Sequence, residues 1–285
     1  MTQKTCGELF EGIDCTIIGN ADELVSGIAY RSDCVKPGDA FCCIVGLKSD
    51  GHSYAQDAID RGARVLIVER KIYLADATDI TEVVVKDSRK AMARMASRFY
   101  GEPSKEFSLV GVTGTNGKTT TTALLGKIMA DHQDSVFVVG NIGNAYTSAA
   151  SQMKEESVTV AEISSFQLET IETFAPHVSA ILNITEDHLN RHHTMEEYIR
   201  VKELITKNQG CDDYCILNYE DEILRKFGEN LTPRVIYFSS VRELDEGIFL
   251  RDGRIILRLD KKEIPFMKTQ QLRILGRHNH ENAMA

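Results

Sequence analysis

Short apolar runs alternate with amphipathic segments along most of this sequence. The runs that predict strands are residues 27–30, 40–45, 64–69, 82–86, 107–112, 136–139, 158–163, 178–184, 213–217 and 234–238. The segments with helical spacing are residues 54–61, 91–99 and 195–207, together with one that begins at Ser164 or Ser165 and continues to residue 172. Asp87 is predicted to cap the helix that carries the apolar stripe of residues 91–99. Because strands that alternate with helices usually form parallel sheets, the pattern predicts an α/β fold.

A polar stretch at residues 101–105, which contains Gly and Pro, interrupts this alternation. We place a domain boundary there, which divides the sequence into an N-terminal domain, 1–102, and a central domain, 103–285. Both predicted domains contain their own strands and helices. The N-terminal domain is therefore predicted to be an α/β module in its own right.

Two features near the end of the sequence differ from the rest. Apolar residues 248–250 and 255–259 flank an Asp252-Gly253 pair, which is typical of a β-hairpin and predicts a small antiparallel appendage. Residues 276–285 resemble a loop and the opening of a helix. Since a helix of one turn is marginal, we expect the sequence to be interrupted there.

A Gly-rich loop connects the run 107–112 to a helical segment expected at residues 121–129. Its sequence is Gly114-Thr115-Asn116-Gly117-Lys118-Thr119-Thr120. Backbone N–H groups of such a loop and the following helix N-terminus bind phosphate, while Lys118 reaches the outer phosphates and the Thr119 hydroxyl binds Mg²⁺. The loop is narrower than the general G-x-x-x-x-G-K-[ST] pattern, because Val112 stands where the first Gly is expected.

Asn141, Glu162 and His188 lie at the ends of three other predicted strands. Ligands of parallel α/β sheets bind beyond the carboxyl ends of the strands, so these side chains and the phosphate loop are predicted to line one edge. Glu162 is interpreted as a Mg²⁺ ligand or as a helix-capping carboxylate, and the nearby phosphate loop favours the metal.

The histidines and the lysine that follow Glu162 allow more than one interpretation. His188 is a candidate ligand at this edge, although a lone histidine is often structural. His192 and His193 are interpreted as solvated or helix-start residues. Lys202 lies on a helix face that could turn back towards the site, and the alternative is a surface lysine.

The composition excludes several classes of protein. A formal net charge of −9 argues against a general nucleic-acid surface. The seven cysteines are scattered without a C-x-x-C pair, which argues against zinc and fits free thiols in a reducing cytoplasm. The first residues have no apolar signal core, and no apolar run approaches the length of a membrane span.

Five motifs in order carry a resemblance to a known family: G-T-N-G-K-T, G-N-I-G, E-I-S-S-F-Q-L-E, L-N-I-T-E-D-H-L and G-R-H-N-H-E-N-A. The sequence closely resembles the Mur ligases of peptidoglycan synthesis, which are ATP-dependent amino-acid ligases with three domains. Its central part is most similar to the member that adds D-glutamate to UDP-N-acetylmuramoyl-L-alanine.

The resemblance implies a role for each matching residue. Residues Gly114 to Thr120 would bind the phosphates of ATP, and Asn279 and Asn282 its adenine. Thr119 and Glu162 would hold one Mg²⁺, and His188 and a carbamylated Lys202 a second; Lys118, Glu162, His188 and Lys202 are then the catalytic residues. Asn141, Ser164 and His188 would contact the muramoyl group, and Ser32, Leu47, Lys48 and Ser49 the uracil and diphosphate.

The N-terminal domain resembles a different member of the family, the ligase that adds the third residue. Residues 35–41, 50–52 and 87–90 carry that likeness. The D-S-R motif of its uridine pocket stands here as Arg31-Ser32-Asp33, in which only the serine is kept. The resemblance therefore implies a UDP-muramoyl-binding domain in front of the ATPase domain.

The implied reaction is phosphorylation of the terminal L-Ala carboxylate by ATP, followed by attack of D-glutamate on the acyl phosphate. Without the third domain, which binds the amino acid in this family, the sequence is expected to bind substrate and not to complete ligation. The alternatives are a ligase that adds diaminopimelate or L-lysine, a folylpolyglutamate synthetase, and a non-catalytic nucleotide- or UDP-sugar-binding module.

Overall fold

The computed structural model describes residues 3–46, 49–72, 79–102, 108–274 and 276–285. The chain divides into two compact units, Met1–Glu102 and Pro103–Ala285. Both units are three-layered, with helices packed on a mostly parallel sheet, and the predicted α/β class is confirmed.

The first unit is built on a five-stranded sheet. Its elements are β1 Lys4–Thr5, α1 Cys6–Phe10, β2 Cys15–Ile18, β3 Leu24–Val25, β4 Ile28–Ala29, β5 Ala40–Cys42, α2 Ala55–Asp60, β6 Val65–Val68, β7 Thr81–Val85 and α3 Ser88–Phe99. The sheet order is β2-β7-β6-β5-β4, in which only the edge strand β2 runs antiparallel. Strands β1 and β3 form a separate antiparallel pair.

Strand β6 shows why this sheet is stable. Val65 and Ile67 pack into the core formed with α1 and α3, whereas Leu66 and Val68 pack into the core formed with α2. All four side chains are fully buried. An uninterrupted apolar run is therefore required here, because both faces of a parallel sheet are covered by helices.

The second unit contains a nine-stranded sheet. Its elements are β8 Ser108–Thr113, α4 Lys118–Ala130, β9 Val136–Gly140, α5 Tyr146–Ala150, β10 Val158–Glu162, α6 Ser165–Leu168, β11 Val178–Ile181, α7 Leu189–His192, α8 Met195–Glu203, β12 Tyr214–Asn218, α9 Glu222–Gly228, β13 Arg234–Ser239, β14 Gly247–Arg251, β15 Arg254–Leu259, β16 Lys262–Lys268 and α10 Arg277–Met284. The sheet order is β16-β15-β14-β13-β12-β11-β8-β10-β9.

Strand β8, which leads into the phosphate loop, lies in the middle of the parallel part of the sheet. Strands β9 to β14 run parallel, and β8 lies between β10 and β11. The chain passes from β8 to one side of the sheet and then, after β10, to the other. Such a switch of direction leaves a crevice beyond the strand ends, and the phosphate loop opens into it.

The predicted antiparallel appendage is the edge of this same sheet. Asp252 and Gly253 form the expected turn, with φ values of 50° and 69°. Positive φ at both central residues is the property of a type I′ hairpin turn. A third strand, β16, follows the hairpin and was not predicted. The strand pairs of the appendage therefore extend the parallel sheet.

The helix expected from Ser164 to residue 172 is shorter than predicted. Ser164 is its N-cap, but α6 ends at Leu168. The hydroxyl of Thr170 donates a 3.0 Å hydrogen bond to the carbonyl of Gln167, and the next backbone bonds tighten to i→i−3. A β-branched residue that also competes for a helical carbonyl favours this early end.

The last described residues form a helix of eight residues, α10, which is longer than the single turn expected. Met284 is buried in a core with Val112, Leu182 and Phe238. Tertiary packing thus stabilises a helix that would be marginal alone. Within the described residues, none of the helices combines the length and apolarity needed to cross a membrane.

Candidate active site

The phosphate loop lies between the end of β8 and the start of α4. Gly117 is the N-cap residue of α4 with a φ of 86°, and the helix begins at Lys118, three residues before the predicted start. A Cβ atom at Gly117 would lie 2.1 Å from Oδ1 of Asn282, so the backbone approaches α10 closely. This position therefore needs glycine for its conformation and for its lack of a side chain.

Asn183 holds the apex of this loop, and it was not among the predicted site residues. Its Oδ1 accepts a 2.8 Å hydrogen bond from the backbone N–H of Asn116, and its Nδ2 donates to the Asn116 carbonyl at 3.1 Å. The N–H of Thr115 donates to the Asn183 carbonyl at 2.9 Å. Only the position of Asn183 at the end of a predicted strand could have indicated this role.

Two lysine ammonium groups converge on one carbonyl oxygen of the loop. Nζ of Lys118 donates 2.9 Å hydrogen bonds to the carbonyls of Gly114 and Thr115. Nζ of Lys202 donates to the Gly114 carbonyl at 2.8 Å. Lys202 is 2% exposed, so the alternative of a surface lysine was wrong. The side chains of Lys118 and Lys202 therefore meet at the base of the loop.

Burial and the charge of Lys118 lower the pKa of Lys202 to about 7, opposed by nearby Asp187. Its ammonium group lies 4.8 Å from the ring centroid of Tyr198, whose hydroxyl is 3.2 Å from the Thr115 hydroxyl. At neutral pH a large share of Lys202 is thus an uncharged amine, which is the nucleophilic form of lysine.

Glu162 meets its predicted partner Thr119 beside the loop. The Thr119 hydroxyl donates to Oε2 of Glu162 at 2.9 Å, and Nδ2 of Asn141 donates to Oε1 at 2.9 Å. Glu162 is 1% exposed. Three predicted site residues from three elements therefore form one cluster.

The cluster fits a hard cation. Within the described part of the chain, Glu162 has neutral hydrogen-bond donors and no ion-pair partner, and an uncompensated buried carboxylate is unfavourable. A carboxylate and a hydroxyl are oxygen donors of the kind that Mg²⁺ binds together with phosphate oxygens and water. No group of three or more His, Cys, Asp or Glu residues suited to a metal occurs among the described residues. The protein would thus supply only part of the coordination shell.

His188 begins α7 in the left-handed conformation, with a φ of 53°. Its backbone N–H donates to Oδ1 of Asp187 at 2.8 Å, and its half-exposed ring lies 5.0 Å from that of Phe166. Among the described contacts of His188, none is with Lys202 or Glu162. The structure therefore brings Thr119, Glu162 and Asn141 together, and Lys118 with Lys202, but leaves His188 at the rim.

The prediction that His192 is a solvated or helix-start residue was wrong. It is 3% exposed and ends α7. Its Nε2 lies 2.9 Å from the hydroxyl of Ser165, and its Nδ1 lies 3.4 Å from Oε1 of Glu169. Burial lowers its pKa. The nearby Ser164, in contrast, is a partly exposed N-cap whose hydroxyl donates to Gln167.

Two adjoining cavities flank the loop. One of about 320 Å³ is lined by residues Thr115 to Thr120, Asn141 and Glu162. The other, of about 580 Å³, contains both predicted adenine residues, Asn279 and Asn282, whose side chains are joined by a 3.2 Å hydrogen bond. The cavities share Asn116, Gly117 and Thr120. Their sizes and linings suit a triphosphate in the smaller cavity and a base in the larger one.

The predicted uridine residues of the first unit are only partly described. Leu47 and Lys48 lie outside the described residues, and Ser49 is exposed. Ser32 hydrogen-bonds Asp57 and thereby lowers its pKa, while its neighbours Arg31 and Asp33 form an ion pair.

A buried histidine near this region was not predicted. His52 contacts Oδ1 of Asp50 through Nδ1 at 2.6 Å and accepts the Glu69 N–H at Nε2, at 2.9 Å. Asp50 is also paired with Arg70, and both partners lower the pKa of its carboxyl. The segment that follows Ser49 is therefore fixed to the end of β6.

Both units match family descriptions. Residues 112–285 match the Mur ligase middle domain, and residues 24–100 match the Mur ligase family catalytic domain. The chain belongs to the Mur ligase family, and the predicted membership is confirmed.

Among curated relatives, the UDP-N-acetylmuramoylalanine–D-glutamate ligase of Lachnoclostridium phytofermentans is 59% identical over 177 residues, which are 62% of this chain and 39% of that protein. The enzyme of the same name from Clostridioides difficile is 51% identical over 176 residues, again 62% and 39%. The chain thus matches well under half the length of these relatives.

Solved structures show the same fold at low identity. MurF from Acinetobacter baumannii aligns with a TM-score of 0.70 and 20% identity over 100% of this chain and 64% of that one. A UDP-N-acetylmuramoyl-L-alanyl-D-glutamate–2,6-diaminopimelate ligase aligns with a TM-score of 0.71 and 20% identity, over 99% and 62%.

Proposed function

We propose that this chain binds ATP and UDP-N-acetylmuramoyl-L-alanine and forms the part of a ligase that activates the terminal carboxylate for attack by D-glutamate. The observation that carries the proposal is the cluster in which Thr119, at the phosphate loop, meets the buried Glu162. The names of the relatives that are 51% and 59% identical support D-glutamate as the amino acid.

The proposed ligation has two steps, phosphorylation of the carboxylate and formation of the amide. An oxygen of the L-Ala carboxylate attacks the γ-phosphorus of ATP, the bond to the bridging oxygen breaks, and ADP leaves. The amine of D-glutamate then attacks the acyl carbon, phosphate leaves, and the amine loses a proton. Lys118 and the loop amides hold the phosphates and stabilise the charge that develops on them. Bound Mg²⁺, held by Thr119 and Glu162, would neutralise charge on the phosphate oxygens.

Lys202 is proposed to act as a carbamate, with His188, at a second cation site. The uncharged amine attacks the carbon of CO₂, and one proton is released as the N–C bond forms. The lowered pKa of Lys202, about 7, supports this step because it makes the amine available at neutral pH. Isotope-labelled bicarbonate should produce a carbamate signal in carbon NMR that is lost in Lys202→Met.

The other proposed ligand-binding residues contact the adenine, the muramoyl group, and the uracil and diphosphate. Asn279 and Asn282 would bind the adenine, and Asn141, Ser164 and His188 the muramoyl group. In the first unit, the region that includes Ser32 would bind the uracil and diphosphate, together with Leu47, Lys48 and Ser49.

Calorimetric titration of this chain with a non-hydrolysable ATP analogue and with UDP-N-acetylmuramoyl-L-alanine tests the proposal. We expect both ligands to bind, and Lys118→Ala to lose the ATP analogue while the muramoyl substrate still binds. Lys127→Ala is the matched control, because Lys127 lies on the same helix with its side chain 75% exposed. Failure of the wild-type chain to bind either ligand would refute the proposal.

ADP release on addition of single amino acids, with the full enzyme that contains this chain, identifies the amino acid. D-glutamate with UDP-N-acetylmuramoyl-L-alanine should support turnover. Turnover only with diaminopimelate or L-lysine and the dipeptide substrate would favour the alternative ligase. Unchanged function in Lys118→Ala would favour a non-catalytic binding module.

A further inference from the structure

His192 is the centre of a buried cluster in the second unit. Its ring is stacked on that of Phe166, with centroids 5.7 Å apart, and lies 5.2 Å from the ring of Tyr198. Its two nitrogens face Ser165 and Glu169. The ring belongs to α7, and it contacts two residues of α6, the C-cap residue of α6, and one residue of α8.

The hydrogen-bonding groups around His192 select one tautomer. A carboxylate can only accept hydrogen bonds, so the proton of the neutral ring belongs on Nδ1, which faces Glu169 at 3.4 Å. Nε2 is then an acceptor, and the Ser165 hydroxyl donates to it at 2.9 Å. Glu169 also pairs with Arg191 at 2.7 Å. Both ends of α6 are therefore joined to α7 through one ring.

The two helices joined in this way carry proposed substrate residues at their first positions. Ser164 is the N-cap of α6, and His188 is the N-cap of α7. Each helix has only four residues, so little intrahelical bonding fixes its direction. His188 also adopts a left-handed conformation, which surrounding contacts must maintain.

We propose that His192 is a positioning residue that fixes the spacing of Ser164 and His188 for the muramoyl group of the substrate. The inference rests on the proposed function, and it assigns His192 no contact with substrate or nucleotide. A second connection runs from its neighbour Tyr198, whose hydroxyl is 3.2 Å from that of Thr115 in the phosphate loop.

Three variants separate the contributions of the ring. His192→Phe keeps the aromatic packing and removes both hydrogen-bonding nitrogens. His192→Gln retains an acceptor near the Ser165 hydroxyl, and His192→Asn retains a donor towards Glu169. The Gln and Asn variants each keep one hydrogen-bonded link between α6 and α7. Their effects on substrate binding should therefore lie between those of the wild type and His192→Phe.

The measurement is the ratio of the dissociation constants of UDP and of UDP-N-acetylmuramoyl-L-alanine, determined by calorimetry for the intact chain. This ratio isolates the contribution of the muramoyl-peptide. We expect His192→Phe to reduce the ratio by about tenfold or more, since small displacements of positioning groups have effects of this size. The dissociation constant of UDP should not change, and Gln and Asn should restore part of the ratio.

Gln209→Leu is the matched control for a loss of stability alone. Gln209 is also buried and joins Ser179, Pro176 and Tyr214 by hydrogen bonds of 2.8–3.0 Å. Its partners lie at the start of strands β11 and β12, at the opposite end of the sheet from the site. Gln209→Leu should lower the melting temperature and leave the ratio unchanged.

Two results would overturn the inference and leave the proposed function intact. A wild-type ratio in His192→Phe would show that the cross-link does not position the muramoyl contacts. An equal loss of UDP and substrate affinity would show a general effect on folding. A wild-type chain that binds the substrate no better than UDP would instead overturn the proposed function, and the inference with it.

Discussion

Replacement of Lys202 by methionine should stabilise the second unit while it removes a proposed catalytic group. The side chain is 2% exposed, and its ammonium group shares the Gly114 carbonyl with Lys118. Burial and this neighbouring charge lower its pKa from 10.5 to about 7. The charged form is therefore less stable in the folded chain than in the unfolded chain. Methionine has a similar shape and no charge.

The expected gain in the free energy of unfolding follows from the shift in the pKa of Lys202. A displacement from 10.5 to about 7 corresponds to about 5 kcal/mol in the free energy of unfolding when the amine is charged in both states. The lost hydrogen bond to Gly114 offsets about 1 kcal/mol. We therefore expect Lys202→Met to be about 4 kcal/mol more stable than the wild type where the amine is charged in both states, and slightly less than this at pH 7.

The stability difference between Lys202→Met and the wild type should decrease as the pH rises. Between pH 7 and 10.5 the unfolded chain holds the Lys202 proton more tightly than the folded chain, so wild-type stability rises with pH. The rise amounts to about 1.4 kcal/mol per unit for this group. Below this window the full penalty is present, and above it the penalty is absent. The advantage of the methionine variant should thus vanish at about pH 10.

Urea unfolding of both proteins at several pH values, in buffers free of CO₂, measures this difference. Other titrating groups cancel, because they are common to the two proteins. Lys127→Met is the control, since Lys127 is exposed and its variant should differ little from the wild type at any pH. A methionine variant that is less stable at pH 7, or a difference that does not change with pH, would contradict the reasoning.

Two further substitutions test the phosphate loop and its cation site. Glu162→Gln should retain nucleotide binding without Mg²⁺ and lose the gain on adding Mg²⁺, measured by calorimetry with a non-hydrolysable ATP analogue; an unchanged gain would exclude the carboxylate as a ligand. Gly117→Ala should lower stability by more than the about 1–2 kcal/mol of left-handed strain and weaken nucleotide binding, because its Cβ would lie 2.1 Å from Asn282 Oδ1. Gly143→Ala is its control, with a φ of 65° and no atom within 4 Å, and an equal loss in both variants would contradict the prediction.

The sequence was sufficient for features that depend on strand ends and local spacing. Parallel strands bring their carboxyl ends to one edge, so Asn141 and Glu162 could be placed beside the phosphate loop before any contact was known. Asp87 was predicted to cap α3, and its side chain accepts a hydrogen bond from the Lys90 N–H. Each of these predictions needs only the order of elements and a few neighbouring residues.

Features that depend on packing between elements could not be predicted in the same way. The burial of His192 depends on its contacts with α6 and α8, and the ammonium group of Lys202 reaches the Gly114 carbonyl, which is distant in sequence. Strands β1 and β3 have two residues each, which is too short for a periodic pattern. Helix α10 depends on Met284 entering a core shared with distant strands.

Charges of both signs are left without full compensation at this edge, and a Mg²⁺–nucleotide complex would compensate both. Lys118 and Lys202 share a carbonyl, whereas Glu162 accepts hydrogen bonds from neutral Thr119 and Asn141. Polyphosphate would neutralise Lys118, and a divalent cation would join Glu162 to the phosphates. Binding of the ATP analogue and of Mg²⁺ should therefore be mutually dependent, as linkage requires. In thermal denaturation, the two together should raise the melting temperature by more than the sum of their separate shifts, and Glu162→Gln should make the shifts additive. Additive shifts in the wild-type chain would show that the carboxylate and the phosphates do not share a cation.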